Sequence, residues 1–299
     1  MLHVAIVGKL PTEPMRPYLQ ALFDALAAQK AVTRVLGTVY RALQEMEFRL
    51  PAGASSFERG DSLAGTHFML SLGGDGTLLE AITYVGALQI PILGINMGRL
   101  GFLATVPQER VTEALEALLR GHYTLDDRSL IRVEADRPVF SGVAFGLNEF
   151  SILKRDSSAM IVVHTYIDGE FLNSYWADGL LVSTPTGSTG YSLSCGGPVL
   201  LPHTTNFVIA PVCPHNLNVR PLIVPDHSVI SFEIEGRANN FLISLDSRSQ
   251  PVDATIQLAV SKERFCARLV KVNQSNFLST LRTKLNWGLD ERNPPERSN

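Results

Sequence analysis

The sequence predicts an α/β N-terminal domain with a doubly wound parallel sheet, an all-β antiparallel sandwich-like C-terminal domain, and a C-terminal helix returning to the first domain. Three observations carry this. Up to about residue 125, short apolar runs alternate with stretches of helical period, the pattern of strands joined by crossover helices. After Asp126-Asp127-Arg128 the period falls to two, in short runs split by turn residues. From Phe277 the helical period returns. The division expected is residues 1–125 plus 275–299 as a nucleotide-binding α/β domain, and residues 126–274 as a β-rich dinucleotide-binding and oligomerisation domain.

In chain order, residues 2–7 are nearly all apolar and end at Gly8, as a buried parallel strand does. Arg16 to Lys30 carries Leu19, Leu22, Phe23, Leu26 and Ala27 on one helical face. A weak segment, Val32 to Leu36, precedes a helical one around Val39 to Phe48. Pro51 to Gly65, rich in Gly, Ser and Ala, reads as a mobile loop. His67 to Leu72 and Ile90 to Asn96 are strong strands, and Gln108 to Arg120 is a helix with Val111, Leu115, Leu118 and Leu119 on one side. The β-rich part reads as strands at Leu130 to Ala135, Val139 to Leu147, Met160 to Ile167, Leu180 to Ser183, Phe207 to Pro211, Val229 to Ile234, Phe241 to Asp246, Thr255 to Val260 and Phe265 to Val272. Asp168-Gly169 is a hairpin turn. The last helix has Phe277, Leu278, Leu281 and Leu285 on one stripe, Trp287-Gly288 as terminator, and a frayed tail from Asp290 to Asn299.

Composition narrows the function. With 299 residues, 45% hydrophobic content and 26 basic against 29 acidic residues, the chain has room for a sizeable core and shows no electrostatic footprint for nucleic acid or an anionic membrane. A small molecule is the expected partner. Three cysteines, Cys195, Cys213 and Cys266, suggest neither a disulfide framework nor a zinc site, and fit a reducing cytoplasm. No run approaches the roughly 20 apolar residues of a membrane helix. An export or anchoring signal is not expected.

The chemistry concentrates in two glycine-rich stretches. Gly73-Gly74-Asp75-Gly76-Thr77 ends the strand from His67, with Thr77 as N-cap of a helix running to about Gly86. Glycines let backbone N–H groups approach a ligand, and a helix N-terminus favours phosphate. Asp75 would repel phosphate alone, so it reads as a base toward a hydroxyl, as the holder of a Mg2+ that bridges phosphates, or as an Asx-type turn residue. The second stretch, Asp178 to Pro198, is crowded with hydroxyls and glycines. It fits recognition of sugar, amide and phosphate, with Tyr191 offering a face for a base, or else it is a polar surface loop. Leu147-Asn148-Glu149 reads as a strand end or as a recognition pair.

Together, GGDGT at 73–77, GINMGRLGFL at 94–103, Leu147-Asn148-Glu149, DGLLVSTPTGSTGYSLSCGGP at 178–198 and Leu278 to Trp287 resemble the NAD kinase family, from the first strand to Trp287 and in the same order. GGDGT alone is shared with diacylglycerol and sphingosine kinases and phosphofructokinases; the 178–198 block is the specific part. The resemblance implies transfer of the γ-phosphoryl of ATP, or of polyphosphate, to the 2′-hydroxyl of the adenosine ribose of NAD, giving NADP. It implies Asp75 as catalytic base, Gly74 and Gly76 against ribose and phosphates, and Phe102 as an apolar wall. Asn148 and Glu149 would read an adenine edge and ribose hydroxyls. Asp178 would face the nicotinamide end, and Thr189, Gly190, Tyr191, Ser192 and Ser194 would hold the dinucleotide. Mg2+ is expected to arrive on ATP with no metal site in the protein, and homodimers or tetramers are common in the family. The chain departs from the family pattern at Trp176 and Ala159, where relatives carry a basic and a polar residue, and at Arg248, where Gln is common; Arg248 is a binding candidate. These departures bear on nucleotide preference rather than on reaction type.

No phosphate loop of the form G-x-x-x-x-G-K-[ST], no G-x-G-x-x-G after the first strand, no H-E-x-x-H and no G-x-S-x-G elbow occurs. The alternatives to an NAD kinase are a lipid or sphingoid-type kinase sharing the GGDGT loop, which would leave the 178–198 block unexplained, and a non-catalytic dinucleotide sensor.

Overall fold

The computed structural model describes residues 1–98, 101–155, 160–236, 240–272 and 277–287. The chain divides into two compact units, one of Met1–Leu78, Ile90–Asp126 and Leu269–Asn299, the other of Leu79–Gln89 and Asp127–Arg268. Arg99, Leu100, Ala159, Gly288 and the tail from Asp290 lie outside the described residues.

The first unit is built on β1 (His3–Gly8), α1 (Arg16–Ala28), β2 (Val32–Leu36), α2 (Gly37–Glu45), β3 (Ser55–Phe57), β4 (Phe68–Leu72), the start of α3 (Asp75–Val85), β5 (Ile92–Asn96), β6 (Val106–Pro107) and α4 (Val111–Leu119). Its strands lie in the order β3-β2-β1-β4-β5, all parallel, with β6 beside β5. The chain moves outward from β1 to β3, then starts again on the other side at β4. Because crossovers between parallel strands share one hand, that reversal puts helices on opposite faces, so the sheet is doubly wound. Val4 to Val7, Met69 to Leu72 and Ile92 to Ile95 are buried throughout, as strands covered on both faces must be. Leu19, Leu22, Phe23 and Leu26 of α1 are buried, and α1 packs on α4, whose Val111, Ala114, Leu115 and Leu118 are buried too.

Two local expectations change here. The stretch Pro51 to Gly65 contains β3, paired in parallel with β2 from Arg34↔Ser55 to Leu36↔Phe57, and the buried Phe57 ring anchors it. Thr77 is not an N-cap: α3 begins at Asp75, and the Thr77 N–H donates to the Gly74 carbonyl from inside the first turn.

The second unit continues through β7 (Thr124–Ala135), β8 (Phe145–Gly146), β9 (Glu149–Lys154), β10 (Ile161–Ile167), β11 (Glu170–Ala177), β12 (Gly179–Ser183), α5 (Tyr191–Ser194), β13 (Asn206–Val212), β14 (Leu222–Pro225), β15 (Ile230–Gly236), β16 (Phe241–Leu245), β17 (Arg248–Val252) and β18 (Leu258–Lys271). One antiparallel sheet runs β14-β13-β12-β9-β16-β17. Strands β11, β10, β15 and β18 form a second antiparallel set, with β7 on β18 and β8 on β7. Asp168 and Gly169, with φ of 52° and 85°, make the two-residue turn between β10 and β11. The two layers face each other across one core: Phe150, Ile152, Val182, Phe207 and Ile243 on one side, Val163, Phe232, Ile234 and Val260 on the other. The Phe150 and Phe232 rings touch at a centroid distance of 6.0 Å. This is the expected sandwich.

Two strand expectations fail. Val139 to Leu147 is mostly a turn, Phe140–Gly142, with positive φ at Phe140 and Ser141 and only β8 in strand. Side chains replace the ladder there. The Gln250 amide oxygen takes the Phe140 N–H at 2.8 Å, and the Arg248 guanidinium donates to the carbonyls of Val143 and Phe145. Conversely, Thr255 to Val260 and Phe265 to Val272 belong to one 14-residue strand, β18, whose charged middle is held by the pairs Lys262–Asp226 and Arg132–Glu263, each with its carboxylate buried. At its far end Leu269 lies in parallel register with Ile92, inside the first unit, and α6 (Phe277–Leu285) closes that unit with Leu281 buried.

Candidate active site

In the first unit, the direction of winding reverses between β1 and β4, and the crevice beyond their carboxyl ends is where such sheets take ligands. Gly8-Lys9 leaves β1 there and Gly73-Gly74 leaves β4, the Lys9 N–H donating to the Leu72 carbonyl at 3.0 Å. Gly73 is fixed by its N–H on Ile95 and by close packing against the Thr77 side chain. At Gly74 and Gly76 the direction a β-carbon would take is open.

Asp75 opens α3, where a carboxylate is favoured by the helix dipole. Oδ2 accepts the Phe102 N–H at 2.8 Å, and Oδ1 accepts the N–H groups of Leu103 and Ala104, both at 3.0 Å. A carboxylate offers about four lone-pair directions. Among the described residues three are taken, and one on Oδ2 is left. The backbone can come this close because residue 101 is glycine: a β-carbon there would overlap the carboxylate. The structure thus brings Asp75 and Phe102 together, though through the Phe102 backbone rather than its ring.

In the second unit, β12 carries the specific block. Leu180 and Val182 point into the inter-sheet core, while Leu181, with Val208, Ala210 and Val212, forms a second cluster under Cys195 and Leu200. The turn and α5 after β12 therefore lie on the outer face of the sheet. Register places Asp178 and Glu149 at opposite ends of the β9–β12 pair, Gly179 opposite Leu153 and Ser183 opposite Glu149. Five residues along the ladder separate them, roughly 17 Å at about 3.4 Å per residue.

At the Glu149 end, Asp246 sits in a tight turn between β16 and β17 with φ of 52° and collects the N–H groups of Leu147, Asn148 and Glu149 at 2.8, 2.7 and 3.2 Å. Thr184 holds the same segment from the other side, its N–H on the Asn148 carbonyl and its hydroxyl on that of Leu147. Gly187 is required, since a β-carbon would overlap the Asn148 carbonyl. Among the described residues, Glu149 Oε2 is buried without a hydrogen-bond partner, 3.2 Å from where a β-carbon of Gly190 would stand. Burial first, and the Asp246 charge second, push Glu149 up to about 7. Burial also pushes Asp246 up, but its three amides and Arg248 pull it back, so the proton of this pair resides on Glu149.

At the other end, Lys154 Nζ pairs with Asp178 Oδ1 at 2.6 Å. Tyr191 is exposed, and burial of part of its ring, then the charges of Cys195, Cys213, Asp178 and Glu149, raise its phenol above the ordinary value. Gly190 and Ser194 are exposed beside it. Thr189 bonds the Thr186 carbonyl, and Ser192 is fully buried against Gly197, its hydroxyl without a partner among the described residues. Trp176 is exposed on the edge strand β11. The Arg248 guanidinium lies on carbonyls and over the Phe140 ring at 5.8 Å.

Sequence reasoning missed Asp246, Thr184 and Lys154 as organisers of this surface. Asp246 was visible only as the end of a strand, and the register that brings Lys154 to Asp178 has no local signal.

Residues 57–123 match the ATP-NAD kinase N-terminal domain and residues 147–272 the ATP-NAD kinase C-terminal domain. The chain is 53% identical to an NAD kinase of Cytophaga hutchinsonii over 97% of its own length and 99% of that protein. It belongs to the NAD kinase family. It is therefore an enzyme, a kinase. An NAD kinase of Flavobacterium psychrophilum is 41% identical over 98% of this chain and 100% of its own. Among solved structures, yeast NADH kinase complexed with NADH superposes with a TM-score of 0.87 at 23% identity, covering 97% of this chain and 89% of that one. An NAD kinase from Archaeoglobus fulgidus in complex with ATP gives 0.73 at 24% identity, covering 95% and 99%. Both share the fold of this NAD kinase family member.

Proposed function

We propose that this kinase transfers the γ-phosphoryl of ATP to the 2′-hydroxyl of the adenosine ribose of NAD, with Asp75 as the general base. The arrangement around Asp75 carries the reading. Among the described residues three amides fix the carboxylate and leave one lone pair on Oδ2, so the group can receive one proton from one direction, which is what an in-line displacement asks of a base. The orphan N–H groups of the first turn of α3, under the open Gly74 and Gly76, suit phosphate oxygens.

In the second unit, Asn148 and Glu149 are assigned to the adenosine, Tyr191 to stacking against a base, Asp178 with Lys154 to the nicotinamide end, and Thr189, Gly190 and Ser194 to the intervening polar atoms. The separation of Asp178 from Glu149 suits a dinucleotide rather than a single nucleoside. Ser192 and Arg248 are assigned to holding the surface that the ligand meets. Mg2+ is assigned to the phosphates of ATP, which supply its oxygens; it would neutralise charge on the transferring group. No helix among the described residues is long and apolar enough to cross a membrane. A cytoplasmic homo-oligomer, dimer or tetramer, built through the β-rich domain, completes the proposal.

Purified protein given NAD, ATP and Mg2+ should make NADP, and Asp75→Asn should make it at least about a hundredfold more slowly, as loss of a general base predicts. Equal rates would remove Asp75 from that role. NAD binding without NADP from either protein would make the chain a dinucleotide sensor.

A further inference from the structure

We infer that binding of the NAD ribose expels a proton from Glu149, so that the affinity of this site for dinucleotide rises with pH through neutrality. The inference rests on the assignment of Glu149 to a ribose and adds a proton to it. Its basis is donor bookkeeping. Asp246 takes the three amides of residues 147–149, Thr184 takes the carbonyls of 147 and 148, and the buried Oε2 of Glu149 faces Gly190 with no donor among the described residues. A carboxylate left this way is held protonated by burial and by the charge opposite.

Ribose hydroxyls are donors that the protein does not supply. Once they arrive, the ionised form gains hydrogen bonds that the acid cannot accept as well, and the balance is Glu149–COOH plus ligand giving Glu149–COO⁻ bonded to ribose plus one proton to solvent. The groups facing Glu149 are Asp246 with Arg248 behind it on the β16–β17 turn, and Tyr191 and Cys195 on α5 and its end. Burial raises the Tyr191 phenol and the Cys195 thiol, leaving both neutral near pH 7. Glu149 is thus the acid of this cluster that changes charge there.

Calorimetry with NAD at pH 7, in phosphate and in Tris, tests this, because the heat difference counts protons. About half a proton per site should be released at pH 7, falling toward none at pH 9, with Kd rising about tenfold per unit below neutrality. Glu149→Gln should bind NAD more weakly, release nothing and show a flat profile. Asp246→Asn should move the break in the profile to lower pH, because it removes the opposing charge. Wild-type binding with no proton exchange, or with uptake, overturns the inference while leaving the ribose assignment intact. Folded wild-type protein that binds no NAD at any pH overturns both.

Discussion

Glu149, proposed to meet the ribose, shows at residue scale how a buried carboxyl is held at a cost to the fold. Its pKa of about 7 in the folded chain lies above the ordinary 4.5, so folding binds a proton between those values. Stability from this group is therefore greatest at low pH and declines as pH rises from about 4.5 to about 7, by up to about 3 kcal/mol at 1.36 kcal/mol per unit. Glutamine keeps the shape and cannot ionise. The unliganded Glu149→Gln protein should melt several degrees above wild type at pH 8 and level with it at pH 5. An equal displacement at both pH values, read by calorimetry or circular dichroism, would show that the change acts through packing. The same observation explains why the Asn148-Glu149 pair was legible only as a strand end or a recognition pair: its electrostatics come first from burial, which only the fold creates, and second from Asp246, almost a hundred residues away along the chain.

The elements that carry the site differ in how they tolerate a single added carbon. In the turn after β12, a β-carbon at Gly187 would overlap the Asn148 backbone, whereas one at Gly190 would stand 3.2 Å from both the Glu149 carboxylate and the Gly187 carbonyl, contacts that a shift of a few tenths of an ångström relieves. Gly187→Ala should lower the urea midpoint by the equivalent of roughly 2 to 3 kcal/mol and weaken NAD binding; Gly190→Ala should do little to stability. Indistinguishable urea curves would mean that the β9–β12 junction gives way without cost. Element by element, legibility followed how local the cause was. Residues 2–7, 67–72 and 90–96 announced themselves because strands buried on both faces need unbroken apolar runs. The turn at Phe140 was hidden because its amides and carbonyls are satisfied by Gln250 and Arg248, side chains of a distant strand. β17 was hidden by Pro251, which an edge strand accommodates. β3 was hidden in a Gly- and Ser-rich stretch that has one buried ring, and the interruption read into β18 is only its charged middle.

For the whole molecule, a parallel first unit and an antiparallel second one follow from a single change of period near Asp126, and a family resemblance then attaches chemistry to loops that period alone leaves as turns. If chemistry and binding are carried by different residues, as proposed, the two separate in the intact chain. A ligand that binds only the folded state stabilises it by about 2.7 kcal/mol at a hundred times its Kd, whatever happens to turnover. With NAD alone, Asp75→Asn should therefore keep most of the wild-type rise in melting temperature while making almost no NADP when ATP is added. Tyr191→Ala should behave in the opposite sense. The ring is 39% exposed, so the unliganded protein should melt where wild type does, yet the NAD-dependent rise should shrink because a base loses its stacking face. A full NAD shift in Tyr191→Ala would take Tyr191 out of the binding surface, and a lowered unliganded melting temperature would make it part of the packing over β12 and β13. An Asp75→Asn protein without any NAD shift would mean that the aspartate holds the dinucleotide as well as acting on it, so that a single carboxylate would serve both purposes.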